Sequence, residues 1–307
     1  MINRKEWREA LADIYQGEMN FDVPMKDYTS LAIGGPVDVM AAPDDPISMR
    51  DLVVFLKKKG TPFLTLGRGT NILVRDGGID GAVISASAFR KIEVLKEGIR
   101  YADLFVEAGL SLRELVNFCR ERGYSGIEGL TGIPGTVGGA ICGNAGSFGY
   151  EIKDVLVSVA IMDSSGGLGM FSAEGLGFGY RRSDISPKDI VLSANLKLER
   201  FEEAEVSKRM EKFLMEKRRN QPLSERSAGC VFRNPDGVQA GRLIDEAGCK
   251  GMRVGGIEVS TVHANFFINR GEGTAVDYMR LMDEVSSIVN KKTGIVLEPE
   301  IRVIGRD

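Results

Sequence analysis

The chain has 307 residues, 43% hydrophobic and 27% charged, with a formal net charge of −3. That length allows two domains with sizeable cores, and the mild acidity argues against nucleic acid or an anionic membrane as the main partner. A single histidine, His263, and four cysteines without a CxxC pair argue against a metal site, a Ser-His triad and a disulfide framework. Such cysteine usage fits a reducing cytoplasm.

The opening residues, Met1-Ile2-Asn3-Arg4-Lys5, have no apolar stretch behind their charges, so a secretory signal is not expected. Val37–Ala41 reads as a strand. Asp45-Pro46 then supplies an N-cap and an N1 proline for a helix with Leu52, Val53, Phe55 and Leu56 on its apolar stripe, ended by Gly60. Strands follow at Pro62–Leu66, Ala82–Ser85 and Leu104–Glu107. Ser111 and Glu114 form a capping box that opens a helix through Arg122, closed by Gly123.

Gly129–Tyr150 runs 22 residues without a charge, but eight are glycine. As a helix it would lose roughly 8 kcal/mol relative to alanine, at about 1 kcal/mol per interior glycine, so it reads as a loop system rather than a membrane span. Further strands are expected at Val155–Met162 and Ile190–Leu198, then a charged amphipathic helix over Glu203–Arg219. The basic run Lys217-Arg218-Arg219 reads there as a solvated face. The C-terminal part predicts a strand at Asn265–Ile268 and a helix over Thr274–Lys292 with Val276, Met279, Met282, Val285 and Val289 on one side. A last strand is expected at Ile295–Ile304. Helices and strands mix without strict alternation, which predicts an α+β fold with a boundary near residue 200.

Two glycine stretches carry a chemical signal. Strand Phe63–Leu66 runs into Gly67-Arg68-Gly69-Thr70-Asn71, whose backbone N–H groups suit phosphate oxygens, although a plain β-turn is an equal reading. The loop is neither a dinucleotide fingerprint nor a Walker loop, since Ile72 takes the third glycine position and the chain has no Gly-Lys pair. The second stretch, Gly129 to Gly146, carries apolar Ile133, Val137 and Ile141 and so does not resemble a flexible linker. Close backbone approach to a large flat ligand with a diphosphate would explain it.

Six segments in order resemble the UDP-N-acetylenolpyruvoylglucosamine reductase (UDP-N-acetylmuramate dehydrogenase) family in its shorter form. They are Tyr28–Pro36, Leu66–Val74, Gly126–Gly139, Gly179–Ser183, Ser227–Pro235 and Leu297–Arg302. The resemblance implies a vanillyl-alcohol-oxidase-type (PCMH-type) FAD-binding fold. FAD would occupy residues 1–200, in subdomains of about 1–88 and 89–200, with a substrate domain at 201–307. It implies non-covalent FAD, NADPH as co-substrate and a UDP-sugar substrate in cytoplasmic peptidoglycan precursor synthesis, by a monomer that uses no metal.

The same resemblance implies cofactor contacts from Ile33, Gly67, Arg68, Gly69, Thr70, Asn71, Gly129, Gly132, Ile133, Pro134, Gly135, Thr136, Gly138, Gly139, Asn144 and Gly146. Tyr180, Asn234, His263 and Asn265 match substrate-pocket positions, and Arg218 or Arg219 would reach the diphosphate. Arg181, Cys230 and Glu300 match the catalytic positions. On spacing alone, Glu300 and Arg302 share a strand face and read as a surface pair of little worth; the family match instead places Glu300 on the substrate carboxylate. The family usually has serine where this chain has Cys230. A thiol also carries one transferable proton and, with a free pKa of about 8.5, is the stronger acid; without the resemblance, Cys230 would read as a small buried hydrophobe. Two rival readings remain: an FAD oxidase of the same fold with Cys142 as a covalent tether, and a non-catalytic flavin or nucleotide-sugar binder.

Overall fold

The helix ends follow local sequence chemistry closely. In the computed structural model, which describes residues 3–307, the carboxylate of Asp45 accepts from the N–H of Ile47 at 2.7 Å and of Ser48 at 3.0 Å. The helix it caps spans Pro46–Lys59 and ends on Gly60 at φ 63°. Leu112–Arg120 opens with the Ser111–Glu114 capping box, and Ala275–Thr293 with a box made by Thr274 and Asp277. Each box satisfies N–H groups that the first helical turn cannot.

The described residues form two compact units. The first consists of residues up to Phe21 with Asp38–Arg68 and Gly81–Met215. Its main sheet runs in the order Leu168–Ser172, Leu156–Met162, Ile190–Arg200, Tyr101–Glu107, Ile92–Glu97, all antiparallel, with Tyr124–Ser125 paired beside Ile190–Arg200. Alternation along Tyr101–Glu107 buries Ala102, Leu104 and Val106, which meet Leu112, Leu115 and Val116 of the following helix. A second core packs Trp7 and Leu11 of the helix Arg4–Leu11 against Leu52, Val53 and Leu56 and the strand Ile79–Ser85. That strand runs parallel to Phe63–Leu66, in register Phe63 to Ala82.

The second unit comprises Asp22–Val37, Gly69–Asp80 and Glu216–Asp307. Ala275–Thr293 buries Tyr278, Leu281, Met282, Val285 and Val289 in a core shared with the helix Ala240–Glu246 and the strands Ile257–Val259 and Phe267–Asn269. Ile72–Val74 pairs in parallel with Arg302–Ile304. Mixed helix with mostly antiparallel strands is the α+β class expected. The helix expected at the boundary, Glu203–Asn220, runs through the division between Met215 and Glu216, and segments 22–37 and 69–80 cluster with the C-terminal residues.

Three local expectations are corrected. The glycine-rich stretch contains a short helix, Val137–Cys142, because Gly138 lets the backbone press on Ala108, where a Cβ would lie 2.9 Å from that methyl carbon. Only Arg302–Ile304 of Ile295–Ile304 is a strand; Pro299 brings no N–H, and the residues around it bond piecemeal to Val231–Arg233. Val276 points outward, 59% exposed, while Tyr278 and Leu281 take its expected place in the core.

Within the second unit Glu258 is 4% exposed and holds two arginines, Arg253 and, at 3.1 Å, Arg270. The hydrogen bond from Arg270 holds its carboxyl below the usual glutamate range against the opposing effect of burial, with Arg253 assisting. A depressed folded-state value means that the stabilisation is complete above the unfolded pKa of about 4.3 and is lost as pH falls through the folded value. Glu258→Gln should therefore cost about 1–3 kcal/mol at neutral pH, less than a fully buried pair because the arginines are partly exposed. Urea unfolding of parent and variant checks this: their difference should shrink below about pH 4.

Candidate active site

In the first unit the start of the first glycine stretch, Gly67-Arg68, meets the second stretch. A Cβ at Gly67 would lie 2.7 Å from the Thr136 hydroxyl oxygen. Gly67, Arg68, Gly132, Pro134 and Gly139 are exposed, whereas Leu66, Thr131, Thr136, Val137 and Gly138 are buried beneath them. The result is a strip of bare backbone over a packed layer, shaped by Gly132 at φ 78° and Gly135 at φ 138°. The first amides of the helix Val137–Cys142 are already committed, Val137 to the Leu110 carbonyl, Gly138 to that of Ala108, and Gly139 to the Thr136 hydroxyl. An anion there would meet the preceding loop rather than the helix start. The exposed backbone of residues 67–68 and 132–134 therefore fits a diphosphate-bearing cofactor.

Other glycines of the same motif serve packing. A Cβ at buried Gly129 would overlap the Ser147 carbonyl and approach the Tyr150 ring at 2.8 Å, and one at buried Gly146 would lie 2.5 Å from the Tyr150 carbonyl oxygen. Asn144 is also wholly buried, and its side chain turns inward: Nδ2 donates to the Gly179 carbonyl at 2.9 Å, and Oδ1 accepts from the Lys153 N–H at 3.4 Å. The carbonyl of Gly146 accepts from Arg181 Nη2 at 2.8 Å. Arg181 also stands over the neighbouring Tyr180 ring, 5.2 Å from its centroid. Tyr180 is 48% exposed.

In the second unit the structure brings Cys230 and Glu300 onto adjacent segments. The Glu300 N–H donates to the carbonyl of Val231, next to Cys230, at 2.8 Å, and the Arg233 N–H donates to that of Glu298 at 2.8 Å. Asn265, 2% exposed, clamps the same segment: its Oδ1 accepts from Phe232 N–H at 2.9 Å and its Nδ2 donates to Phe232 O at 2.8 Å. Its amide thus holds the Cys230 segment. Asn71 reaches Glu300 by donating to its carbonyl at 3.5 Å, and Asn71's own carbonyl accepts from Arg302 N–H. Gly69, at φ 60°, and Ile33, 3% exposed, belong to this unit with Thr70 and are fastened to the Tyr28–Gly34 segment: Ser30 N–H donates to Gly69 O, and Thr29 Oγ1 donates to Ile33 O.

His263 Nδ1 accepts from the Asn265 N–H at 3.2 Å, so the proton of the neutral ring sits on Nε2. Burial lowers its pKa, and the charge of Lys250 lowers it further, keeping it a neutral donor at pH 7. Exposed Asn234 accepts from Ala240 N–H at 3.0 Å and so borders the helix Ala240–Glu246. Arg218 is exposed on the helix Glu203–Asn220.

Three supporting groups escaped the sequence reading. Glu128, wholly buried inside the Gly126–Gly139 motif, accepts from the Ser125 hydroxyl and Gly126 N–H and pairs with Arg209 at 3.1 Å. A charge three residues after a serine in a glycine motif was its only trace. Phe213 stacks on Phe148 at 4.5 Å and 10°, and so braces the Gly146–Glu151 hairpin. Tyr278 is fully buried, and among the described residues its hydroxyl has no hydrogen-bond partner. Burial, followed by the charge of Cys230, raises its pKa.

The bare-backbone cradle of the first unit suits the diphosphate of a flavin cofactor, which points to a flavin-dependent oxidoreductase. The family model for an FAD-binding domain matches residues 37–169, and that for the UDP-N-acetylenolpyruvoylglucosamine reductase C-terminal domain matches residues 221–304. The reductase of Geotalea uraniireducens is 39% identical over 98% of this chain and 98% of its own. That of Caldanaerobacter subterraneus is 40% identical over 94% of this chain and 95% of its own. The crystal structure of the Thermus caldophilus reductase superposes with a TM-score of 0.81 at 36% identity, covering 95% of this chain and all of that one. The chain belongs to the UDP-N-acetylenolpyruvoylglucosamine reductase family, FAD-containing oxidoreductases. Among the described residues no helix is long and apolar enough to cross a membrane.

The Gly67–Thr136 contact makes a measurable statement about the cradle. Gly67→Ala should lower the melting temperature of the parent, because its methyl meets the hydroxyl that caps Val137–Cys142. Thr136→Ala alone should cost about 1 kcal/mol as a lost N-cap. In the Thr136→Ala background Gly67→Ala should cost less than in the parent, and additive losses by thermal unfolding would show that the two do not touch.

Proposed function

We propose that this chain reduces UDP-N-acetylglucosamine enolpyruvate to UDP-N-acetylmuramate with NADPH, as a cytoplasmic monomer in peptidoglycan precursor synthesis. The reading is supported most by the juxtaposition of Cys230 and Glu300 through the Val231 carbonyl. Such a pairing suits a reaction that must hold a carboxylate and protonate the carbon beside it. Bound FAD would supply the two-electron hydride chemistry between NADPH and the enolpyruvyl group. Exposed backbone at residues 67–68 and 132–134 would hold the FAD diphosphate.

The chain's own residues manage charge and one proton. Hydride arrival at the vinyl carbon pushes electron density onto the substrate carboxylate. Arg181 offsets that charge, and Glu300, holding a proton, donates a hydrogen bond to the carboxylate. The Cys230 thiol gives its proton to the central carbon, completing the C–H bond, and the thiolate regains a proton from solvent. Tyr180, Asn234, neutral His263 and an arginine of the pair Arg218 and Arg219 bind and orient the nucleotide sugar. The N-terminal portion would carry FAD and the C-terminal portion the substrate.

Rapid mixing separates the two half-reactions. Glu300→Gln should leave the NADPH half-reaction near the parent rate while slowing the substrate half-reaction, because its work is on charge formed during the second. Equal loss in both would reject the assignment.

Cys230→Ala should slow turnover about 10²- to 10⁴-fold, the usual contribution of a general acid, while retaining FAD. Cys230→Ser should stay active and lose a high-pH decline that the thiol imposes, since only the protonated thiol donates. A Cys230→Ala enzyme as fast as the parent at neutral pH would return Cys230 to a packing role. Acid or heat denaturation should release FAD intact into the supernatant; colour kept on the polypeptide would point instead to a covalent tether.

A further inference from the structure

Arg181 sits at the corner of a tight turn. Gly179 N–H donates to Arg182 O at 3.0 Å, and Arg182 N–H donates back to Gly179 O at 3.2 Å, which leaves Tyr180 and Arg181 as the two corner residues. Arg181 has φ 56°, the left-handed region that glycine or asparagine usually fills at such a corner. A long side chain stays there only if its surroundings fix it. Arg181 Nη2 is fixed on the Gly146 carbonyl, the Ser183 hydroxyl donates to Cys142 O at 2.9 Å, and Asn144 Nδ2 donates to Gly179 O.

The Asn144 amide makes two side-chain hydrogen bonds, donating to Gly179 O and accepting from Lys153 N–H. Asn144 follows the helix Val137–Cys142 with φ 42°. Its N–H donates to Ile141 O at 3.1 Å and that of Ala145 to Ala140 O at 2.8 Å, the paired bonds of a Schellman cap with Asn144 at the left-handed position. Glycine fills that position with less strain and caps the backbone equally well. What asparagine adds is a buried amide that grips the carbonyl of Gly179.

We propose that Asn144 is a positioning residue which latches the Gly179–Arg182 turn and so holds the Arg181 guanidinium in its working orientation. The inference rests on the role given to Arg181 above, and Arg181→Ala serves as the control for that role. Asn144→Gly in the FAD-loaded full chain keeps the cap and removes the latch. FAD content and the NADPH half-reaction should stay near the parent's. The substrate half-reaction should slow about 10- to 100-fold, as expected for a misplaced catalytic group, and amide hydrogens of residues 179–182 should exchange faster. Asn144→Asp, of the same shape but without the donor, should show the same loss.

If Arg181→Ala is slow but Asn144→Gly matches the parent, the inference falls and the role of Arg181 stands. An Arg181→Ala enzyme as fast as the parent overturns both that role and the catalytic part of the inference. Unchanged exchange at residues 179–182 in Asn144→Gly overturns the latch, whatever the kinetics.

Discussion

A Cβ at Gly69 would overlap the carbonyl of Tyr28, one at Gly35 that of Asp76, and one at Gly78 that of Pro36. These approaches of backbone to backbone lock residues 28–36 against residues 69–78 within the second unit. With that pairing made, Asn71 reaches the carbonyl of Glu300, and Ile72–Val74 is placed to pair with Arg302–Ile304. The first unit repeats the device where Gly129 meets Ser147 and Gly146 meets Tyr150. Side chains cannot enter such contacts, so these positions are closed to every residue with a Cβ.

The glycine excess therefore has two causes that composition cannot separate. Gly67 and Gly132 are exposed and offer their backbone outward, as a cofactor cradle would require. Gly129 and Gly146 are buried and collide with the chain if a Cβ is added. Both kinds sit in the same motif. A ligand-contact reading of every glycine there is too broad, because a motif can persist for packing at one position and for binding at the next.

Legibility in the sequence follows the range of the interaction. The caps at Asp45 and Ser111 were readable because cap and capped N–H lie within three residues. Asp76 caps the same helix as Thr274, accepting from Ala275 N–H at 2.9 Å and Val276 N–H at 3.2 Å, but nothing near residue 76 announces it. Similarly, Asn265 looked like a pocket residue, and only the fold reveals its grip on Phe232. The run Ile295–Ile304 has strand composition, yet its partners, Val231 to Arg233, supply separate bonds rather than a ladder. Propensity described the residues correctly there; tertiary pairing decided the outcome. Cys230 and Glu300 lie seventy residues apart, so their approach could be anticipated only through the family resemblance.

Backbone strain supplies an independent indication of where function sits. Among the described residues, the non-glycine positions with positive φ are Asp22, Ala32, Asn144, Phe148 and Arg181. The last three belong to one connected patch: Arg181 bonds to Gly146, Asn144 holds Gly179, and Phe148 stacks on Phe213 at the tip of the hairpin that contains Gly146. Each such residue costs on the order of 1–3 kcal/mol, so the patch forgoes several kcal/mol of stability that glycine at the same sites would recover. For Phe148 the stacking offsets part of that cost. For Asn144 the buried amide does so, through hydrogen bonds whose loss inside the protein would itself be expensive. The Arg181 guanidinium gains the Gly146 carbonyl and the Tyr180 ring face, although Tyr180 is half exposed. A strained, charged residue whose guanidinium is held on Gly146 and whose turn is tied down through Gly179 and Ser183 is explained by a required orientation as well as by folding.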